Sequence, residues 1–111
     1  VTAHRPGVEV IHHPADSAEA GSRGAGLALR GALTADTVPG LWKQLSRFFN
    51  ASREPLAIDL AGITSVDSAG LALLVTWAGR AAQSELPLSY IALPERLLRL
   101  ARISEVDELI S

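Results

Sequence analysis

The sequence contains no cysteine. That removes a disulfide framework, a thiol nucleophile and a thiolate metal site, and it fits a reducing compartment. Positive charge is not in excess either, with 10 Lys and Arg against 12 Asp and Glu and a formal net charge of −2. Such a surface offers little to a nucleic-acid backbone, so no nucleic-acid partner is expected. Long hydrophobic runs are missing too. The longest strongly apolar stretch, Ala69 to Val75, is followed closely by Thr76, Gly79 and Arg80, far short of the roughly 20 residues that cross a bilayer. The opening VTAHRPGVEVIHH has no basic segment leading into an apolar run, so no secretory signal is legible and a cytoplasmic location is expected. There is no internal repeat.

What is present suits one folded unit over residues 1–111, with 48% hydrophobic and 20% charged residues, enough aliphatic content for a single core. Val8 to His13 has a loose strand alternation. The following PADSAEAGSRGAG, 14–26, is small and turn-forming and reads as a flexible glycine-rich loop closing a hairpin. GLALRGAL, 26–33, alternates as a strand with one face on the core. Thr34 and Asp36 are both N-cap candidates for a helix over about 36–49, with Pro39 tolerated in its first turn. Val38, Leu41, Trp42, Leu45, Phe48 and Phe49 form its apolar stripe. LAIDL, 56–60, is expected to be a central strand covered on both faces, Ala61 to Asp67 a polar turn, and 68–83 a helix. LPLSYIAL, 86–93, reads as a further strand, Pro94 opens a helix to about Ile103, and 105–110 forms a last short element. Strands alternating with helices predict an α/β fold with a mixed, mainly parallel sheet of four to five strands.

The informative stretch is IDLAGITSVDSAGLALLV, 58–75, in which a strand runs through a turn into a helix opening on Asp67, Ser68, Ala69 and Gly70. A helix entrance carries free amides and the positive end of the dipole, so a serine there is reachable and its phosphate would be stabilised. Asp67 and Ser68 are equally readable as ordinary caps, and the spacing does not separate these readings.

IDLAGITSVDSAGLALL resembles the signature of the STAS domain, the fold of bacterial anti-sigma-factor antagonists and of sulfate-transporter tails. LALRGALTADTVPGLW, 27–42, resembles the strand, turn and first helix of the STAS subunit of the bacterial phospholipid-trafficking ABC transporter that maintains outer-membrane lipid asymmetry. The resemblance spans about 26–103 and implies a STAS fold and a non-catalytic role without cofactor or metal. Its implied partner is the ABC-type ATPase subunit, and through it the membrane permease, at the cytoplasmic side of the inner membrane. The alternative it implies is an anti-sigma-factor antagonist, whose partner is an anti-sigma factor or kinase that phosphorylates Ser68. Asp67, Ser68, Ala69 and Gly70 are then the phosphoacceptor-like or interface residues. The family often has Gly-Glu-Leu-Asp where this chain has Gly31, Ala32, Leu33 and Thr34, so the acidic residue associated with the phosphoacceptor is absent.

The helix from Ala69 to Ala82 has few polar side chains. Leu71, Leu74, Val75, Ala78 and Ala82 occupy one side, while Leu73, Trp77 and Ala81 project away from it. One sheet cannot cover both sides, so a partner is expected to cover the surplus, with Leu71, Leu73, Leu74, Trp77 and Arg80 at the contact and Leu73 and Trp77 as anchors. The plain alternative is that Trp77 fills the core. His4, His12 and His13 are read as solvated residues, not metal ligands. GSRGAG, 21–26, leads into a strand and lacks the Gly-Lys-Ser/Thr ending of a phosphate loop. Glu95, Arg96, Arg99 and Arg102 form a solvated outer face, or the rim of a contact with an acidic partner.

Overall fold

Side chains alternate across a strand, and in this sheet the alternation sorts large aliphatic residues onto one face. The computed structural model describes residues 8–13, 25–51 and 55–110. In chain order the elements are β1 (Val8–His13), β2 (Ala25–Leu33), α1 (Val38–Ala51), β3 (Leu56–Val66), α2 (Ser68–Gln83), β4 (Leu88–Ile91), α3 (Glu95–Ile103) and α4 (Asp107–Ile110). The four strands lie in the order β1-β2-β3-β4. β1 pairs antiparallel with β2, and the β2–β3 and β3–β4 pairs are parallel. This is the expected mixed, mainly parallel α/β architecture.

Registered partners share a face. Val10 lies opposite Leu29, Leu27 opposite Ile58, and Ile58 opposite Tyr90. These residues join one hydrophobic cluster with Leu41 and Leu45 of α1, Leu71, Leu73, Leu74 and Trp77 of α2, Leu97 and Ala101 of α3, and Ile110 of α4. The residues of opposite parity, including Glu9, Ile11, Ala28, Arg30 and Asp59, do not join it. LAIDL is central in the sheet as expected, but its two faces differ. The helices bury Leu56, Ile58 and Leu60, whereas Asp59 on the other face is half-buried.

The expected polar turn over 61–67 is instead strand. β3 continues to Val66 because β2 is long enough to pair with it throughout, with Gly31 opposite Ile63 and Leu33 opposite Val66. Register shifts between Ala28 and Arg30 and between Gly31 and Ala32 absorb the two extra residues of β3 and blur the alternation that a sequence reading relies on. Gly31 sits at the second irregularity with φ 104, a conformation that side-chain-bearing residues rarely adopt.

Helix ends also shift. α1 starts at Val38, two residues after Asp36; the Thr34 carbonyl accepts the Thr37 N–H at 3.0 Å and the Val38 N–H at 2.9 Å, and the Thr37 carbonyl accepts the Leu41 N–H at 3.1 Å. The Thr37 hydroxyl turns back to Ala32 and Thr34 and not onto the first amides of α1. α2 ends in a Schellman arrangement, in which Glu85 at φ 55 donates to the Ala82 carbonyl at 3.2 Å and Leu86 to the Ala81 carbonyl at 2.9 Å. Leu86 is thereby drawn into the helix end, which is why β4 begins at Leu88. α3 ends the same way through Glu105 and Val106. Residues 14–24 of the expected loop and His4 lie outside the described residues, as do the side chains of His12, His13, Phe48 and Phe49.

Candidate functional site

Three pieces of chain meet at one end of the sheet: the end of β3, the first turn of α2, and the Thr34–Thr37 turn between β2 and α1. Their meeting is organised by Asp67. Its backbone is extended at φ −125, ψ −173, and its carboxylate caps α2. Oδ1 accepts from the Ala69 N–H at 2.9 Å and the Gly70 N–H at 3.1 Å, and Oδ2 accepts from the Ala35 N–H at 3.0 Å. The helix therefore uses only one oxygen of its cap, and the other holds a loop 32 residues earlier in the chain. The donated bonds, that from Ala35 first, hold the Asp67 carboxyl below the usual carboxylate range, against a smaller opposing effect of burial.

Gly70 explains why the helix entrance can lie so close to β2. A Cβ built on Gly70 would fall 2.1 Å from the Leu33 carbonyl oxygen and 2.8 Å from the Leu33 carbonyl carbon. Only glycine fits against that backbone. The same carbonyl accepts the Asp67 N–H at 3.2 Å, so strand end and helix start are joined by contact and by hydrogen bond.

The Thr34–Thr37 turn is locked from within by Thr37. Its buried hydroxyl donates towards the Ala32 carbonyl at 2.9 Å and the Thr34 carbonyl at 3.2 Å, and accepts the Thr34 N–H at 3.0 Å. Sequence reasoning missed Thr37. The available signal was a hydroxyl residue three positions after Thr34, close enough for its side chain to close a turn on the local backbone.

Around this frame the exposed surface consists of Ala35, Asp36, Thr64 and Ser68, with Ser65 and Ala69 half-buried. Ser68 is the first residue of α2, and Asp67 before it does the capping. Its side chain is solvent-accessible beside the amide end of the helix.

The expected apolar contact surface further along α2 is not at the surface. Leu71 is 5% exposed, Leu73 3%, and Leu74 and Trp77 0%. The expectation that Leu73 and Trp77 anchor a partner is corrected for a physical reason. The sheet does not cover α2 alone: α1, α3 and α4 also touch it, so sides separated by a third to half a turn are buried by different neighbours. Tyr90 fixes α2 from below by donating its hydroxyl to the Leu74 carbonyl at 2.7 Å, and burial raises its pKa well above the usual phenol range. The outward side of α2 is instead Ala72, Thr76, Gly79, Ala82 and Gln83. Arg80 is half-buried, with its guanidinium 5.3 Å from the centre of the Trp42 ring.

Comparison with known proteins places this geometry in a family. The sequence pattern of the family described as "Mlab, STAS domain" matches residues 17–111. The chain belongs to the STAS family. No curated protein matches it in sequence. An anti-sigma factor antagonist from Mycobacterium paratuberculosis has the same fold, with TM-score 0.69 and 18% identity over 93% of this chain and 82% of that one. SLC26A9 also contains the fold, with TM-score 0.66 and 10% identity over 95% of this chain, which corresponds to 21% of the SLC26A9 chain. At these identities the likeness is one of fold. Among the described residues no helix is long and apolar enough to cross a membrane.

Proposed function

We propose that this STAS chain is a non-catalytic subunit that docks on the cytoplasmic ATPase of a phospholipid ABC transporter and regulates or stabilises it. The docking end is the surface around the entrance of α2. The observation that carries the reading is the shared frame of Asp67, Gly70 and Thr37, which fixes Ser68, Ala35 and Asp36 as one exposed, preorganised surface. Preorganisation lowers the ordering cost of association, which is what a docking module needs. The pattern of the "Mlab" STAS family over 17–111 supports the transporter setting. In that setting the chain lies beside the inner membrane through the ATPase and its permease, and lipid is handled by other subunits. Arg80 lies 12 residues beyond Ser68 on α2, or about 18 Å along the axis, with its guanidinium against Trp42 of α1. They extend the contact if the partner covers the outward side of α2.

A second reading is favoured by one observation. Ser68 is exposed at the positive end of α2, where the helix amides stabilise a phosphate. In that reading the chain is an anti-sigma-factor antagonist, and phosphorylation of Ser68 adds about −1.5 to −2 charge that switches partner binding. The fold shared with the mycobacterial antagonist is consistent with it.

Affinity capture of the tagged chain from its native cell extract, with identification of co-purifying proteins and the modification state of Ser68 by mass spectrometry, tests both. Recovery of an ABC-type ATPase with its membrane subunits supports the first reading. Recovery of a histidine-kinase-like anti-sigma factor together with phospho-Ser68 replaces it by the second.

A further inference from the structure

From the division of labour between the two carboxylate oxygens we infer that Asp67 is the positioning residue of the docking end, coupling the Thr34–Thr37 turn to α2. This inference rests on the docking reading for its consequence in binding, and on geometry alone for the coupling itself. An N-cap needs one acceptor, and Oδ1 supplies it to Ala69 and Gly70. Oδ2 adds nothing to the helix and is spent on the amide of Ala35. Thr37 fastens the turn to its own strand through the carbonyl of Ala32, but its hydrogen bonds do not reach α2. Among the described residues, the Asp67–Ala35 hydrogen bond is the side-chain bond that joins the turn to the helix entrance.

Thr37 ties Ala35 and Asp36 to β2, and the Leu33 carbonyl ties β2 to the helix start; the Asp67–Ala35 bond adds the direct link that sets Ala35 and Asp36 against Ser68. A partner gripping both sides binds a preassembled site. With the link gone, the turn keeps its Thr37 bonds but is no longer fixed against α2, and the partner must restore that setting as it binds, so affinity falls by that cost.

Asp67→Asn separates the two roles. Asparagine caps helices about as well as aspartate, so its single carbonyl oxygen can replace Oδ1. Its amide nitrogen then meets the Ala35 N–H as donor against donor. Asp67→Ser gives an independent version, with a capping hydroxyl and no second acceptor. Amide hydrogen exchange on the free chain reads the coupling directly. The expected result is a loss of Ala35 protection by at least tenfold in both variants, with Leu71 to Leu74 changed less than threefold. Unchanged Ala35 protection in both variants overturns the inference, as does equal loss along α2, which would make Asp67 a cap only. Titration of the purified ATPase with parent and Asp67→Asn reads the consequence, with at least tenfold weaker binding expected and equal binding overturning the positioning role. If the parent itself fails to bind the ATPase, the docking reading falls and the exchange result alone decides the coupling.

Discussion

Replacing Gly70 with alanine tests the closeness of α2 to β2, on which the whole end of the molecule depends. The added methyl would lie 2.1 Å from the Leu33 carbonyl oxygen, where real contacts essentially never fall below 3.0 Å, so strand and helix must separate by close to an ångström. The obstacle is backbone, which cannot rotate aside. Such overpacking costs about 1–3 kcal/mol, and stretching the Asp67 N–H bond to the same carbonyl adds about 1 kcal/mol. Alanine returns about 1 kcal/mol through helix propensity. The net loss is about 1–3 kcal/mol, a large share of the roughly 5–15 kcal/mol typical of a domain. A chain of this size loses about 4 °C in Tm per kcal/mol, so a fall of about 4–12 °C is expected. Thermal and urea unfolding followed by circular dichroism measures it. The internal control is Gly79→Ala on the same helix, where a methyl meets nothing within 4 Å, and a gain of about 0.5–1 kcal/mol is expected. Equal stability of Gly70→Ala and the parent, or a larger loss at Gly79 than at Gly70, would refute the reasoning.

Two further outcomes follow from burial and charge. Trp77→Ala should cost about 3–5 kcal/mol in urea unfolding, since the ring is wholly enclosed; a loss below 1 kcal/mol would return Trp77 to the surface. Asp67 has a lowered folded-state pKa, so the unfolded chain binds its proton first as pH falls. Its contribution is present above the ordinary carboxylate range, near pH 4, and disappears as the pH drops through the lower folded value. Asp67→Asn should show a shallower acid limb in a pH series of unfolding midpoints, and parallel limbs would deny the cap its charge.

Much of this end of the molecule was legible in the sequence because local chemistry specifies it. Alternation in GLALRGAL, the apolar stripe of α1 and the small residues after Asp67 each act within a few positions. Helix α2 was legible as an element but not in its environment. Its apolar residues point in several directions, and which are covered depends on α1, α3 and α4 arriving from distant parts of the chain. The sequence pattern alone therefore points Leu73 and Trp77 outward. β3 was read too short for a related reason: Ala61 to Val66 is polar and irregular by itself, and its pairing with β2 makes it strand. The second oxygen of Asp67 was equally invisible, since its partner is a backbone amide 32 residues away.

The measurement that tests the central claim most directly is calorimetric titration of the purified cytoplasmic ATPase with the parent, Ser68→Ala and Ser68→Asp chains, each checked for folding by circular dichroism. Docking through the entrance of α2 predicts that the parent binds, that Ser68→Ala stays within about threefold, and that Ser68→Asp weakens binding by at least tenfold, about 1.4 kcal/mol, by placing a charge inside the contact. Equal affinity for all three chains would contradict it by removing Ser68 from the interface.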